Sequence, residues 1–231
     1  MNLWLSTSNT ASQLGKVYKP VLVQLVEGHK GCETPLDLAL GSLVMLRYSL
    51  PTQALATLLN VKEDEMIFIV QRLHAVLRQP KDPMLSIEIL HDSFRKYLLG
   101  EDVTRECEIQ IDQDATHKKL FLECLECIRN NGSLKKSASL SDLATKYACT
   151  SWVHHLQASG IEVTTDDDVC RFLQKDTIKW LRSSKAVGEL FVVPSLIAKL
   201  QRTKAGFGSV LAASRVGNLH FQGYSGGQTA V

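Results

Sequence analysis

The chain has 231 residues, of which 45% are hydrophobic and 22% are charged, and its formal net charge is +2. These values are typical of globular proteins, and they exclude a wholly disordered chain, a collagen and a long coiled coil. A net charge this small gives no reason to expect a phosphate-rich partner.

The sequence indicates neither a disulfide framework nor a membrane protein. Its six cysteines are spread over a long chain, whereas disulfide frameworks occur in short secreted domains. The first 15 residues lack the basic and apolar regions of a secretory signal. Because no uncharged apolar run reaches about 18 residues, we expect no membrane span and a cytoplasmic protein.

Residues 1–32 are predicted to be the end of an upstream helical region. Within them, the apolar residues 17–26 predict one short helix with Pro20 near its first turn. Gly28 is predicted to close it.

A helix is predicted at the start of the next segment, residues 33–100. Thr34 supplies a hydroxyl cap, Pro35 takes the first helical position, and Asp37 places a carboxylate near the unpaired amides of the helix start. Apolar residues then recur on one face to about residue 48.

Two more helices and a β-hairpin follow in the same segment. Pro51 opens a short helix that Asn60 closes in a left-handed conformation. Apolar residues at helical spacing predict a third helix over residues 62–77. The period changes to two over residues 85–89, which predicts a strand paired with a short one at residues 76–78. This order of elements is typical of a winged helix.

A short helix over residues 94–99 ends the segment, with Asp92 or Ser93 as its cap and Gly100 as its stop. His91 follows the strand and precedes this helix, so its imidazole and the free amides of the helix could both meet an anion. The alternative is an imidazole bonded to nearby backbone, which would fix the turn.

Residues 101–200 are predicted to form a helical linker domain, with one strand at residues 108–111. Asp114 is predicted to cap its first helix. Apolar residues at helical spacing mark three helices. They are Leu120, Phe121, Cys124, Cys127 and Ile128 in the first, Ala144, Ala148, Trp152 and Leu156 in the second, and Val169, Phe172, Leu173, Trp180 and Leu181 in the third.

Thr165 and Asp168 match a capping box at the start of that third helix, and Pro194 begins a last one. A linker of small and basic residues is predicted over residues 130–139. Residues 201–231 are rich in glycine and show no periodicity, so we expect a disordered tail. The predicted fold class is mostly α.

Six segments of the chain resemble, in order, segments of one known family. Residues 90–99 (LHDSFRKYLL) are similar to a Met-His-Asp motif, with Leu90 in the place of methionine. The other five are LGKVYKPVLVQL (14–25), residues 40–59, HKKLFLEC (117–124), YACTSWVHHL (147–156) and FLQKDTIKWL (172–181). Together they resemble the NACHT-type NLR proteins of filamentous fungi, which belong to the STAND class of signalling ATPases.

The resemblance implies a regulatory function. In that family the winged helix packs over ADP on a nucleotide-binding domain and swings away on exchange, and the protein then oligomerises. The resemblance implies that His91 and Asp92 sense the nucleotide, and that the partners are the nucleotide-binding and repeat domains of a parent protein. No Gly-x-x-x-x-Gly-Lys-[Ser/Thr] loop occurs. We therefore expect no catalysis and no cofactor in this chain, with ADP or ATP and Mg²⁺ belonging to an intact family member.

The sequence leaves two alternatives to this function. The third helix of a winged helix commonly enters the major groove of DNA, but here it begins with Glu63, Asp64 and Glu65, which repel phosphate. We therefore do not expect nucleic-acid binding. The other alternative is a truncated gene product without an independent role, whose exposed apolar faces would promote aggregation.

Cys124 and Cys127 match a C-x-x-C pattern, but they fall in the apolar stripe of a predicted helix, so we expect buried thiols. A zinc site would need two more ligands. His154 and His155 are available, but adjacent residues of a helix point to different sides, so no metal site is predicted.

Overall fold

The structure, a computed structural model, describes residues 7–100, 111–130, 140–161 and 168–203. This part of the chain is mostly helical, as predicted, with one antiparallel sheet of two short strands. The elements are α1 (Thr7–Gly28), α2 (Leu36–Met45), α3 (Thr52–Leu58), α4 (Glu63–Arg72), β1 (Leu77–Arg78), β2 (Glu88–Ile89), α5 (Asp92–Leu98), α6 (Gln113–Asn130), α7 (Leu140–Ala158), α8 (Asp168–Lys175), α9 (Thr177–Ala186), a 3₁₀ turn (Leu190–Val192) and α10 (Val193–Thr203). None of the described helices has the length and apolar character needed to cross a membrane.

Helix α1 is longer than predicted. It begins well before residue 17, and Pro20 lies inside it instead of in its first turn. A proline in a helix interior removes one backbone hydrogen bond, so packing has to compensate. The Tyr18 ring supplies part of that packing, with centroid distances of 5.3 Å to Phe94 and 5.4 Å to Tyr97 of α5.

The predicted cap of α2 is wrong. Pro35 is the N-cap residue, and within the described structure no side chain caps this helix. The Thr34 amide instead donates to the Glu65 carboxylate of α4 at 2.7 Å, and the Glu33 amide donates to the same carboxylate at 3.2 Å. A side chain from another helix therefore holds the residues just before α2, where a local cap was predicted.

Two helix ends differ from the prediction and one agrees. Helix α2 ends at Met45 and not near residue 48, because the next residue is extended. Helix α4 ends at Arg72, since the chain turns before it enters β1. Asn60 has a φ of 51°, so the predicted left-handed end of α3 is confirmed.

The predicted hairpin is present, although both strands are short. Strands β1 and β2 pair antiparallel, with Arg78 opposite Glu88, and these two side chains form a salt bridge of 3.2 Å. The Ile87 amide donates to the Leu50 carbonyl at 3.0 Å. The residues before β2 therefore bond to the α2–α3 connection and do not extend the strand.

The C-terminal helices begin at slightly different residues from those predicted. Asp112, not Asp114, caps α6, because its Oδ1 accepts the Ala115 amide at 3.0 Å. The helix predicted after residue 165 is two helices, α8 and α9, which meet at Asp176. Helix α10 begins at Val193, one residue before the predicted start.

Several predictions fall largely on residues outside the described ranges. They are the strand at residues 108–111, the linker after residue 130, the Thr165 half of the capping box and the C-terminal tail. Ile111 is described and lies outside the two strands, and its amide donates to the Leu98 carbonyl at 3.0 Å.

One hydrophobic core runs through both predicted domains. Helices α6 and α7 pack along their length, and α2 and α3 pack against them. A Cβ atom at Gly41 of α2 would lie 2.8 Å from Cγ2 of Thr116 in α6, so the missing side chain permits the close approach of these helices. The domain boundary near residue 100 stays a prediction.

Candidate functional site

The residues predicted to sense nucleotide lie at the junction of β2 and α5. His91 is exposed and is the N-cap residue of α5, with φ −139° and ψ 130°. Asp92 is also exposed, and its carboxylate forms a salt bridge of 3.2 Å with Lys96. The two predicted site residues are therefore neighbours on the surface of the described structure.

The main chain holds this junction. The predicted caps by Asp92 or Ser93 do not form, since no side chain caps α5 in the described structure. The Phe94 amide donates to the His91 carbonyl at 3.0 Å, and the Ser93 hydroxyl lies 2.8 Å from that of Tyr18. The imidazole of His91 makes no capping hydrogen bond in this part of the chain, so the turn does not depend on it.

The acidic start of α4 is bonded to neighbouring parts of the protein. Hydrogen bonds from Thr34 and Glu33 lower the pKa of the Glu65 carboxyl to about 2. Glu63 accepts a hydrogen bond from the Gln53 amide group at 2.9 Å. With Glu63, Asp64 and Glu65 in its first turn, the start of α4 is an acidic surface.

An open cleft of about 600 Å³ lies beside this surface and is lined in part by Glu33, Lys62, Glu65 and Glu123. Its one lysine is paired with Glu33 at 2.8 Å. Burial raises the pKa of the Glu123 carboxyl, and the negative charge of Glu126 raises it further. The charged residues in its wall are three glutamates and one paired lysine, so this cleft does not suit an anionic ligand such as a nucleotide.

The thiols of Cys124 and Cys127 are buried in α6, as the sequence predicted. Burial raises the pKa of the Cys124 thiol well above its ordinary value and that of Cys149 in α7 to about 12. Thiols that remain protonated are poor nucleophiles and poor metal ligands.

Three histidines meet between α6 and α7. One ring nitrogen from each of His117, His154 and His155 lies within 4.8 Å of the other two. The His117 centroid is 5.8 Å from that of His154 and 5.1 Å from that of His155. His154 is exposed and His155 is buried, so the two point to different sides of α7 as expected, but His117 on the facing helix is within reach of both. We call these three residues the histidine cluster.

A chain of hydrogen bonds holds the buried member of the histidine cluster. The Arg47 amide donates to the Tyr147 hydroxyl oxygen at 3.1 Å, and that oxygen lies 2.7 Å from Nε2 of His155. Nδ1 of His155 lies 2.8 Å from Nδ1 of His117. An imidazole of His155 protonated on Nδ1 alone gives each of these contacts one donor and one acceptor.

Partial or full loss of solvent weakens the basicity of the three imidazoles, most of all that of the buried His155. Desolvation is the main cause that lowers the pKa of His155 to about 3, and the charges of the neighbouring His117 and His154, when protonated, lower it further. Desolvation also lowers the pKa of His117, although the negative charge of Asp114 opposes this shift. Desolvation lowers the pKa of His154 as well, and the positive charge of Arg47 adds to that shift. The uncharged form of each of the three rings is therefore favoured.

The sequence did hold a signal for the histidine cluster. His117 precedes Leu120 by three residues and Cys124 by seven, so it continues the buried stripe of α6. His155 follows Trp152 by three residues and continues the buried stripe of α7. Only the pairing of the two helices, which the sequence does not specify, brings the two histidines together.

No family model, no curated protein and no solved structure matches this chain. Its relation to the NACHT-type proteins and the winged-helix identity of residues 33–100 stay predictions.

Proposed function

We propose that residues 33–100 form a winged helix and that the chain is a regulatory, non-catalytic segment of a NACHT-type STAND signalling protein. Its role would be to close over ADP on a nucleotide-binding domain outside this sequence and to move away on nucleotide exchange. The pathway would be fungal immunity or incompatibility signalling of the NLR type.

The observation that carries this proposal is the order α2–α3–α4–β1–β2, followed by an exposed histidine before α5. Three helices and an antiparallel hairpin are the elements of a winged helix. The main chain holds the turn at His91, so the imidazole is available to donate a hydrogen bond to a phosphate oxygen of ADP held by another domain.

The surface charges favour this function over DNA binding. Helix α4 presents three carboxylates in its first turn, which would face the phosphates of a bound duplex. Among the nearby cations, Arg72 stacks over the Phe68 ring at 4.9 Å, and Arg78 pairs with Glu88. Few positive charges in this region are left for a phosphate backbone.

The test measures ADP release from the longer protein that this function requires. Coupling between a ligand and a conformational state is typically about 1–3 kcal/mol, and about 1.4 kcal/mol is a factor of ten. We therefore expect His91→Ala to release labelled ADP about tenfold faster than the unaltered protein.

His74→Ala is the matched control, because His74 is an exposed histidine of the same segment, in the turn before β1. The control should release ADP at the unaltered rate. Equal rates for the two variants would contradict the proposed role of His91. ATP turnover by the present chain alone, or salt-dependent DNA binding at nanomolar concentrations, would contradict a regulatory, non-catalytic segment.

A further inference from the structure

We propose that His117, His154 and His155 bind one divalent first-row transition-metal ion, of which Zn²⁺ is the representative. The ligands are Nδ1 of His117, Nδ1 of His155 and one ring nitrogen of His154, with the fourth position left to water. Three imidazoles and an open fourth position are an established zinc coordination set. This inference does not depend on the proposed nucleotide-linked function.

The cluster is close to coordination geometry. Two nitrogens bound to a tetrahedral zinc ion at about 2.05 Å lie about 3.3 Å apart. The Nδ1 atoms of His117 and His155 are 2.8 Å apart, so this pair has to open by only about half an ångström. His154 lies on the surface, and its ring can rotate to close the remaining gap, since one ring nitrogen of each histidine already lies within 4.8 Å of the other two.

The surroundings of His155 are those of a metal ligand. Histidine ligands generally donate their second ring N–H to a fixed acceptor, which sets the orientation of the ring. Nε2 of His155 lies 2.7 Å from the Tyr147 hydroxyl oxygen, and the Arg47 amide donates to that oxygen. When a metal takes Nδ1 of His155, the proton moves to Nε2, which then donates to Tyr147.

The chemistry of the ligands selects the class of ion. All three donors are imidazole nitrogens, which suit zinc, copper, nickel and iron, whereas calcium and magnesium require oxygen ligands. The negative charge of Asp114 would attract a cation bound at the histidine cluster, and the positive charges of Arg47 and Lys199 would repel it. These three side chains are exposed, so solvent and salt weaken their effect on the site.

The test uses the full chain, first freed of metal with a chelator and then titrated with cobalt(II) chloride. We expect one equivalent of Co²⁺ to give the visible absorption of four-coordinate nitrogen and oxygen ligation. It should lack the near-ultraviolet charge-transfer band of cobalt–thiolate bonds, because the nearby cysteines do not take part. Zinc chloride should displace the cobalt.

His154→Gln is the decisive variant, because the side chain is exposed and its loss leaves the core intact; far-ultraviolet circular dichroism would check the fold. We expect apparent cobalt affinity to fall at least tenfold, while the matched control His74→Gln binds as the unaltered chain does. Equal affinity in both variants, a thiolate band, or the absence of visible cobalt absorption would overturn the proposal. The last result would leave His117 and His155 as a hydrogen-bonded pair only.

Discussion

Replacing Gly41 with alanine should destabilise the protein, although alanine is the better helix former. The added Cβ atom would lie 2.8 Å from Cγ2 and 2.9 Å from Oγ1 of Thr116, distances that real Cβ atoms essentially never show. Threonine is β-branched and has few alternative rotamers in a helix, so α2 and α6 themselves have to move apart. The sign of the effect depends on whether this movement costs more than the gain in helix propensity.

The two contributions can be compared in magnitude. Overpacking of a filled core typically costs about 1–3 kcal/mol, and an interior glycine-to-alanine change returns about 1 kcal/mol of helix propensity. Because two contacts lie below 3.0 Å, the upper part of that cost, about 2–3 kcal/mol, applies here, and we expect a net loss of about 1–2 kcal/mol in the free energy of unfolding. In a chain of this size, that loss lowers Tm by about 2–8 °C.

Urea and thermal unfolding followed by circular dichroism would measure this loss. A double-mutant cycle with Thr116→Ala tests the contact, because this change removes the two nearest atoms that the new methyl group meets and leaves only Cγ2 of Ile111, at 3.3 Å, among the close ones. Gly41→Ala should cost less in that background than in the unaltered chain. A higher Tm for Gly41→Ala, or additivity of the two changes within about 0.5 kcal/mol, would refute the reasoning.

Two further substitutions test contacts of α9. Asp176→Asn should cost about 1–2 kcal/mol near neutral pH, because the carboxylate accepts hydrogen bonds from Arg129 and Lys179, each at 3.0 Å. Burial alone would raise the pKa of Asp176, but these bonds hold that pKa below its ordinary value of 3.8. The urea midpoints of the variant and the unaltered chain should therefore converge as the pH falls below 3.8. A difference that stays constant with pH would contradict this. Trp180→Phe should cost about 1–3 kcal/mol in urea unfolding, because Nε1 donates to the buried Cys149 carbonyl at 3.1 Å, and a change under about 0.5 kcal/mol would count against that bond.

Local signals in the sequence predicted the type and order of the elements well. Pro51 and Asn60 delimit α3, and the change of period after α4 identifies the hairpin. Helix ends were less predictable, because contacts between distant residues decide them. At the start of α2 the Thr34 amide bonds to Glu65, 31 residues away, and no propensity scale contains that contact.

The two candidate sites also differ in how far the sequence predicts them, because one depends on local patterns and the other on contacts between distant residues. The position of His91 between strand and helix follows from local patterns, and the structure places it there. The contact between His117 and His155 spans 38 residues and exists only because α6 and α7 pair. Periodicity places each histidine on a buried stripe, but it does not say which two stripes face each other.

Gly41 of α2 packs closely against Thr116 of α6, and the Arg47 amide, in the connection from α2 to α3, donates to Tyr147 of α7. Separating these helices would expose their shared apolar surface to water, at a free-energy cost of about 2.5 kcal/mol for each 100 Å². Residues 33–100 and the α6–α7 pair should therefore turn as a single rigid lever in any larger assembly. Whatever is attached beyond α7 would then be carried through the same rotation.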